Sequence, residues 1–448
     1  MVSRERLGSG LTDRDVPDPG AKIVLATIGT LGDLHPFIAI GLALQARGHR
    51  VTLAVPEDHL AKTRAAGLDA VPILPSFDLV RQRLGLDEDA AVKRVMGDQR
   101  YMLDQIVLPW LESSTSALDI VAAGADLLVA SLFVFGAATV AEKNRIPLVS
   151  VLLQPMALLS PYRPPHTPDF WMMKGEPATW AGVSWNRLVL AGARIAFRRR
   201  YGPVVDRMRA DHGLARGPDR ALLEISQHTA LTLCCYSPEF GELPPDAPAH
   251  AEVVGFPVYD ADGEESTAGD AELEDFLAAG LPPLVFTLGS FAVHAPGDFY
   301  REAAEAARLL GKRAILLTGP GTSMRSDKNM LVRAYAPHSM VFARALAVVH
   351  HGGVGTTGQA LRAGKPQLIV PHMGDQWDNG HRVKRMGVGK VLRARRFTAL
   401  RAARRIAALL DPKRPYIREA ARTGTIIIKE DGAENAALAI EKLLDRAE

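Results

Sequence analysis

Short apolar runs alternate along this chain with amphipathic stretches, and that alternation predicts the fold. Lys22–Thr27 (KIVLAT) is long enough for a buried strand and too short for a helix. Gly29-Thr30-Leu31-Gly32-Asp33-Leu34-His35-Pro36 follows and reads as a loop. Phe37–Arg47 then carries apolar residues at helical spacing and stops at Gly48. Arg50–Val55 is the next strand, with a helix near His59–Ala66 and a strand near Ala70–Ile73. Asp126–Ala130 and Leu148–Leu152 read as strands flanking a helix over Ala137–Lys143, and Leu231–Tyr236 and Glu252–Gly255 as the last strands of this half. Repeated strand–helix–strand units with apolar strands predict a doubly wound parallel sheet in an α/β protein.

Ala261–Asp270 (ADGEESTAGD) is acidic, small and Gly-containing, which marks a linker. Beyond it the pattern restarts. Pro283–Thr287 is a strand ending in Leu288-Gly289-Ser290, followed by a helix over Asp298–Leu310, a strand over Arg313–Thr318 and a short one at Met340–Phe342. Two tandem Rossmann-like halves are expected, facing a cleft. The divisions are a disordered leader over 1–20, an N-terminal domain over 21–260, the linker over 261–270 and a C-terminal domain over 271–432. A helix over 433–448 could pack back across the halves.

Composition narrows the function classes. The 448 residues include 47% apolar and 23% charged, ordinary for a soluble globular protein, and the net charge of +3 gives no reason to expect nucleic acid. Arg198-Arg199-Arg200 and Arg393 to Arg396 read as solvated faces. The Arg-rich amphipathic stretch Leu188–Tyr201 leaves peripheral membrane contact open, with a plain surface helix favoured. Cys234 and Cys235 are adjacent in an apolar run, so a strand would send them to opposite faces, and no disulfide or metal pair is expected. The N-terminal stretch lacks the apolar core of a signal peptide, and the longest apolar stretch, Ile146–Leu159, is too short to span a bilayer. A cytoplasmic location is the expectation. Asp13 and Asp15, like Asp260 and Asp262, are spaced as metal carboxylates but sit in the leader and linker, so neither a metal nor a cofactor is expected.

Candidate chemistry concentrates between His350 and Asn379. Ala345–Val349 is an apolar strand; then come His350, His351, Gly352 and Gly353, and Gly355-Thr356-Thr357 opens a segment with helical character over Gln359–Ala363. Gly364 stops it, and Gln367–Val370 is the next strand. Exposed backbone N–H groups at a helix N-terminus make an anion site suited to phosphate or diphosphate, and Asp375-Gln376 just beyond suits a polyhydroxylated group such as a sugar. The first loop lacks G-x-G-x-x-G and carries an acid where a pyrophosphate would sit, which argues against a dinucleotide site. It still faces the ligand crevice, placing Asp33 and His35 where chemistry can happen, though Asp33 could instead cap the helix that follows. Pro155 to Trp185, with its prolines, methionines and tryptophans, reads as an adaptable loop covering an apolar ligand, or as plain packing.

On His351-Gly352-Gly353-Val354-Gly355-Thr356 with Asp375-Gln376 downstream, the chain resembles the family 1 glycosyltransferases of GT-B architecture. It is most similar to the bacterial branch of rhamnosyltransferases, sterol glucosyltransferases and glycopeptide glycosyltransferases. The resemblance runs from Lys22 to the C-terminus and is weakest over Pro155–Leu223. It implies a metal-independent, inverting transfer of a hexose from a UDP- or dTDP-sugar to a hydroxyl of a largely apolar acceptor, the N-terminal domain binding acceptor and the C-terminal one donor. On the donor side it implies diphosphate contacts from Ser290, His351, Gly353, Gly355 and Thr356, base stacking on Tyr335, and sugar contacts from Asp375 and Gln376. Gln359 stands where plant members carry a ribose-binding glutamate. On the acceptor side it implies Asp33 as catalytic base with His35 as runner-up, and Met156, Trp171 and Trp180 in the acceptor pocket. Ser131 falls where histidine-based members carry a partner aspartate, so a His–Asp dyad is not expected. The competing readings are a nucleotide-sugar epimerase or hydrolase of the same shape, and a non-catalytic homologue.

Overall fold

A computed structural model describes residues 20–217, 222, 224–259 and 271–446. The leader up to residue 19, the linker and Asp13, Asp15, Asp260 and Asp262 lie outside the described residues. Two all-parallel sheets are present. The first has seven strands in the order β3-β2-β1-β4-β5-β6-β7, made of β1 (Lys22–Ala26), β2 (Arg50–Pro56), β3 (Asp69–Leu74), β4 (Leu127–Ser131), β5 (Leu148–Leu152), β6 (Thr229–Cys234) and β7 (Ala251–Val253). The second has six in the order β10-β9-β8-β11-β12-β13, made of β8 (Leu284–Thr287), β9 (Ala314–Leu317), β10 (Met330–Arg333), β11 (Ala347–His350), β12 (Gln367–Ile369) and β13 (Gly389–Val391). β1, β4, β5, β8, β9, β11 and β12 are buried throughout or nearly so, which is why they read as continuous apolar runs.

Strand order fixes where ligands go. It reverses between β1 and β4 in one sheet and between β8 and β11 in the other. Crevices open outside the carboxyl ends of strands at such switch points. Asp33 follows β1, Ser131 ends β4, Ser290 follows β8 and His351 follows β11. Topology alone therefore gathers four sequence-selected positions at the two crevices.

Several element boundaries differ from the pattern-based reading. The helix after β1 spans Leu31–Ala46, so Asp33, His35 and Pro36 lie in its first turns and not in a loop. Its start is set by a capping box, Thr30 with Asp33, which apolar spacing does not register. The helix after β11 spans Val354–Arg362, starting ahead of Gln359. Met340–Phe342 is not a strand but part of a helical segment, His338–Ala343; the strand here is β10, too short to announce itself by alternation. The Arg-rich helix is much longer than its apolar spacing suggested, Trp180–Asp211, with Thr179 capping Gly182. Cys234 and Cys235 do point to opposite sides, one packing with Tyr236 and Phe256, the other with Leu231 and Leu233.

The two sheets are tied together by buried contacts. The C-terminal helix, Gly432–Leu444, packs Ala436, Ala437 and Ile440 into the core of the first sheet beside Leu34 and Leu44. Complete burial of Ile440 alone is worth about 2–3 kcal/mol. Arg47 pairs with Glu434 at 2.5 Å and Glu441 at 2.6 Å across the same contact. Nearer the crevice, buried Asp378 accepts from Arg382 Nε at 2.6 Å and from the His166 backbone N–H at 2.9 Å. The His166 and His381 rings stack with centroids 3.9 Å apart. The Asp378 carboxylate is thus shared between a guanidinium of its own helix and the backbone of the opposite domain, and removing it would strand a buried cation at a cost of about 3–5 kcal/mol.

Candidate active site

At the second crevice the leading feature is the N-terminus of the Val354–Arg362 helix, the side expected to hold the donor. Its cap is Gly353, extended and without a side-chain bond to the first turn. The first N–H groups of a helix have no intrahelical partner, so this end presents several aligned donors and the positive end of the helix dipole. Thr357 does not compete for them, because its hydroxyl donates back to Gly353 O at 2.9 Å. Thr356 is buried in the first turn.

His351 is seated by two glycines. A Cβ on Gly353 would lie 2.4 Å from the ring Nε2, and a Cβ on Gly289 would lie 2.4 Å from Cε1. Gly289 also has φ +71°, a backbone region that favours glycine. The ring is therefore wedged between the loops after β8 and β11, with Nδ1 buried and without a partner among the described residues. Burial first, and then the nearby His350, His372 and His338, hold its pKa well below the usual 6.5, so it offers a neutral imidazole. His350 has a different job. Its Nδ1 accepts from Gly352 N–H at 3.2 Å, which leaves the proton on Nε2 to donate to Gln367 Oε1 at 2.9 Å. It is a fully buried residue that shapes the turn carrying His351.

Past β12, Asp375 stands at the N-cap position of the Gln376–Arg385 helix without a side-chain bond to its first turn, and accepts from Asn379 Nδ2 at 2.7 Å. The same amide donates to Gly352 O at 3.0 Å, tying the Asp375 loop to the His351 loop. Gln376 Oε1 accepts from the N–H groups of His372, at 2.8 Å, and Met373, at 3.1 Å. That consumes its acceptor and leaves an amide donor for a ligand. Ser290 is exposed in the short helix Gly289–Ala292 that follows β8, and Tyr335 is half-exposed after β10. Gln359 carries a buried Oε1 without a partner among the described residues.

On the acceptor side, Asp33 is a helix-capping residue and a crevice carboxylate together. Its Oδ2 accepts from the Thr30 N–H at 2.8 Å and the Thr30 hydroxyl at 3.3 Å. His59 Nε2 bonds Gly29 O at 2.9 Å and so pins the turn from the far side. Desolvation raises the Asp33 pKa above 3.8, while the Thr30 bonds and His59 pull it down; the balance is upward. His35, two residues on, lies roughly 200° around the helix from Asp33. It packs edge-on against Tyr259 with centroids 5.5 Å apart, and its Nε2 is buried and unpartnered among the described residues. Burial, followed by Lys62, His338 and His59, drives its pKa down to about 3. The helix thus separates the two catalytic candidates rather than bringing them together.

The two sides meet. A Cβ on Gly355 would lie 3.9 Å from Gly32 Cα, so the two helix N-termini all but touch. Across that gap Asp33 and Asp375 repel. Burial first, and then Asp33, push the Asp375 pKa up to about 7. Of the acceptor-pocket candidates, Met156 is half-buried just beyond β5, whereas Trp171 and Trp180 are 79% and 83% exposed, so neither walls an enclosed pocket. Among the described residues no group of three or more His, Cys, Asp or Glu side chains is arranged to hold a metal ion, and no helix is long and apolar enough to cross a membrane.

Sequence reasoning missed Thr30, His59, Asn379 and Gly289 as positioning residues. Thr30-x-x-Asp33 is a readable capping pattern, and Asn379 is one helical turn from Asp375. His59 and Gly289 reach their targets only through the fold and left no local signal.

Comparison with known proteins agrees with this geometry. Residues 23–157 match the profile of the glycosyltransferase family 28 N-terminal domain, and residues 321–431 that of the erythromycin biosynthesis protein CIII-like C-terminal domain. The chain is 32% identical over 434 residues to the O-mycaminosyltylonolide 6-deoxyallosyltransferase of Streptomyces fradiae, covering 94% of this chain and 97% of that one. It is 31% identical over 422 residues to glycosyltransferase GtfE of Amycolatopsis orientalis, covering 93% and 96%. Among solved structures, the glycotransferase of kitacinnamycin superposes with TM-score 0.67 at 20% identity, covering 96% of this chain and all of that one (100%). The forosaminyltransferase SpnP superposes with TM-score 0.65 at 19% identity, covering 95% and 100%. The chain belongs to the GT-B glycosyltransferases, joining a family 28-type N-terminal domain to an EryCIII-like C-terminal one.

Proposed function

We propose that the protein moves a hexose from a nucleoside diphosphate sugar to a hydroxyl of a largely apolar small molecule, with inversion and without a metal. One observation carries this reading: an uncapped helix N-terminus with a neutral histidine stands directly across the crevice from a desolvated carboxylate. Transfer needs a base for the acceptor proton and stabilisation of the departing diphosphate, and the two sides supply one each. Asp33 takes the proton through Oδ1, since Thr30 occupies Oδ2. Its raised pKa makes it a better base than a free aspartate. A histidine titrating near 3 accepts a proton poorly, which ranks His35 below it. The amides at Val354, Gly355 and Thr356 and the His351 ring receive the diphosphate, Ser290 meets it from the short helix after β8, and Tyr335 and Gln359 serve the nucleoside. Asp375 and the Gln376 amide hold the sugar hydroxyls. Attack from the Asp33 side on a donor held from the opposite side inverts the anomeric carbon.

Between UDP and dTDP donors we favour dTDP. VinC and the rhamnosyltransferase SpnG, both of this fold, were solved with thymidine diphosphate, and the Streptomyces fradiae relative is named for a 6-deoxysugar. On the acceptor side Met156 lies beyond β5 at the first crevice. The test is nucleoside diphosphate release from dTDP- and UDP-sugars with and without macrolide, sterol and phenol acceptors. Acceptor-dependent release supports transfer; release of equal rate without acceptor would make the protein a hydrolase.

A further inference from the structure

The segment after β5, expected to cover an apolar ligand, instead reaches toward the half of the chain that carries the second sheet. Pro161, Pro164, Pro165 and Pro168 each preset their own φ, so this stretch is stiff before anything holds it. Its ends are drawn together by one side chain. Asn186, fully buried, donates from Nδ2 to Pro161 O and Lys174 O, both at 2.9 Å, and accepts from the Lys174 N–H at 2.8 Å. Ser160, bonded to Asp246, accepts from the Tyr162 N–H at 3.1 Å and fixes the root. Residues 161–174 thus form a closed, proline-stiffened strap anchored in the first half.

The strap meets one side of the Gln376–Arg385 helix. The His166 N–H donates to Asp378, the His166 ring stacks on His381, and Glu176, just past the strap, pairs with Arg385. Asp378, His381, Arg382 and Arg385 follow the i, i+3, i+4, i+7 spacing of a single helix face. At 3.6 residues per turn that face lies about 140° from the one carrying Gln376 and Asn379. Those two are bonded within their own half, to the His372 N–H and to Gly352 O. Two halves of the protein therefore hold this helix from two sides.

We infer that the strap is a positioning element for the sugar end of the donor site, setting where Asp375 and Gln376 stand relative to Asp33. The inference rests on the proposed role of Asp375 and Gln376 as sugar contacts. Stability is a weak reason for these contacts to exist. His166 is exposed, and the Arg385 and Glu176 side chains are 40% and 54% exposed, so water screens most of their gain. The buried C-terminal helix already joins the halves. What a stiff strap adds is placement, and a displacement of about 1 Å can slow a reaction roughly 100-fold. Among the described residues, every bond the strap makes to the second half falls on this helix, and none on Ser290, His351 or the Val354–Arg362 helix. Loosening it should disturb the sugar end and spare the diphosphate end.

His166→Ala combined with Glu176→Gln releases the ring contact and the ion pair but keeps Asp378 bonded to Arg382. The full-length double variant is compared with wild type by melting temperature, dTDP affinity, acceptor-dependent turnover and amide hydrogen exchange. Turnover should fall about 10- to 100-fold, with dTDP affinity and melting unchanged. Exchange should quicken over residues 376–385 and not over 354–362. His166→Phe in the Glu176→Gln background returns an aromatic face to His381 and should recover turnover. Unchanged turnover would overturn the inference. So would a parallel loss of dTDP affinity, which marks general loosening, or a failure of His166→Phe to recover turnover. A wild type that transfers from no donor would sink the proposed function instead. Exchange over 376–385, which needs no donor, then decides the strap alone: faster in the double variant upholds its grip on the helix, and equal rates overturn it.

Discussion

The two loops that face each other across the crevice are built alike and finished differently. Each joins the carboxyl end of a central strand to a helix N-terminus, β1 to Leu31 and β11 to Val354. The acceptor-side end is closed by its own residues, Thr30 and Asp33 in a capping box. The donor-side end has only Gly353 and no side-chain cap. An anion entering the first would meet a carboxylate already in place; an anion entering the second meets unpaired amides. In the proposed mechanism, one supersecondary unit thus holds the base at one end of the reaction and the leaving group at the other. The finishing residues at the helix cap, not the fold, decide which.

Removing the carboxylate should produce the largest change. Asp33→Asn keeps a residue able to cap, so its melting temperature should stay near wild type while turnover falls about 10²–10⁴-fold, the usual contribution of a positioned base. On the donor side, Gly353→Ala drives a methyl into the His351 ring. Loss of one hydrogen bond to a charged group predicts about 10- to 100-fold weaker dTDP binding by calorimetry, with the melting temperature little altered.

Asp375→Asn probes the contact between the two sides. The folded protein holds this carboxyl near 7 against an ordinary 3.8, so it binds an extra proton between those values. Wild-type stability contributed by this group is therefore fully present below about 4 and is lost as pH rises through 7. The variant should out-melt wild type at pH 8 by a few degrees and lose that advantage at pH 5. The smallest effect belongs to Thr30→Ala, which removes the capping hydroxyl but not the Thr30 N–H. About 1 kcal/mol of stability should be lost in urea unfolding, and turnover should fall only severalfold.

The sheets were legible because their strands are buried on both faces and read as unbroken apolar runs. The candidate phosphate site was legible because glycines, histidines and threonines crowd behind such a run. Helix starts were harder: Leu31–Pro36 looks like a loop because glycine and proline interrupt the apolar spacing, while the Thr30–Asp33 cap that begins the helix is a polar signal. What Asp33 and Asp375 do to each other could not be read at all. They lie in different domains, and their coupling exists only when the Gly32 and Gly355 backbones approach. Trp180 shows the converse. Its composition suggested a pocket wall, but a ring 83% exposed at the head of a long helix encloses nothing.

The most direct measurement is single-turnover transfer by Asp33→Asn and His35→Ala, with the dTDP dissociation constant determined on the same samples. The expected result is that Asp33→Asn binds dTDP as wild type does and transfers almost nothing, while His35→Ala transfers at a rate within a few-fold of wild type. An active Asp33→Asn beside an inactive His35→Ala that still binds dTDP would contradict the account.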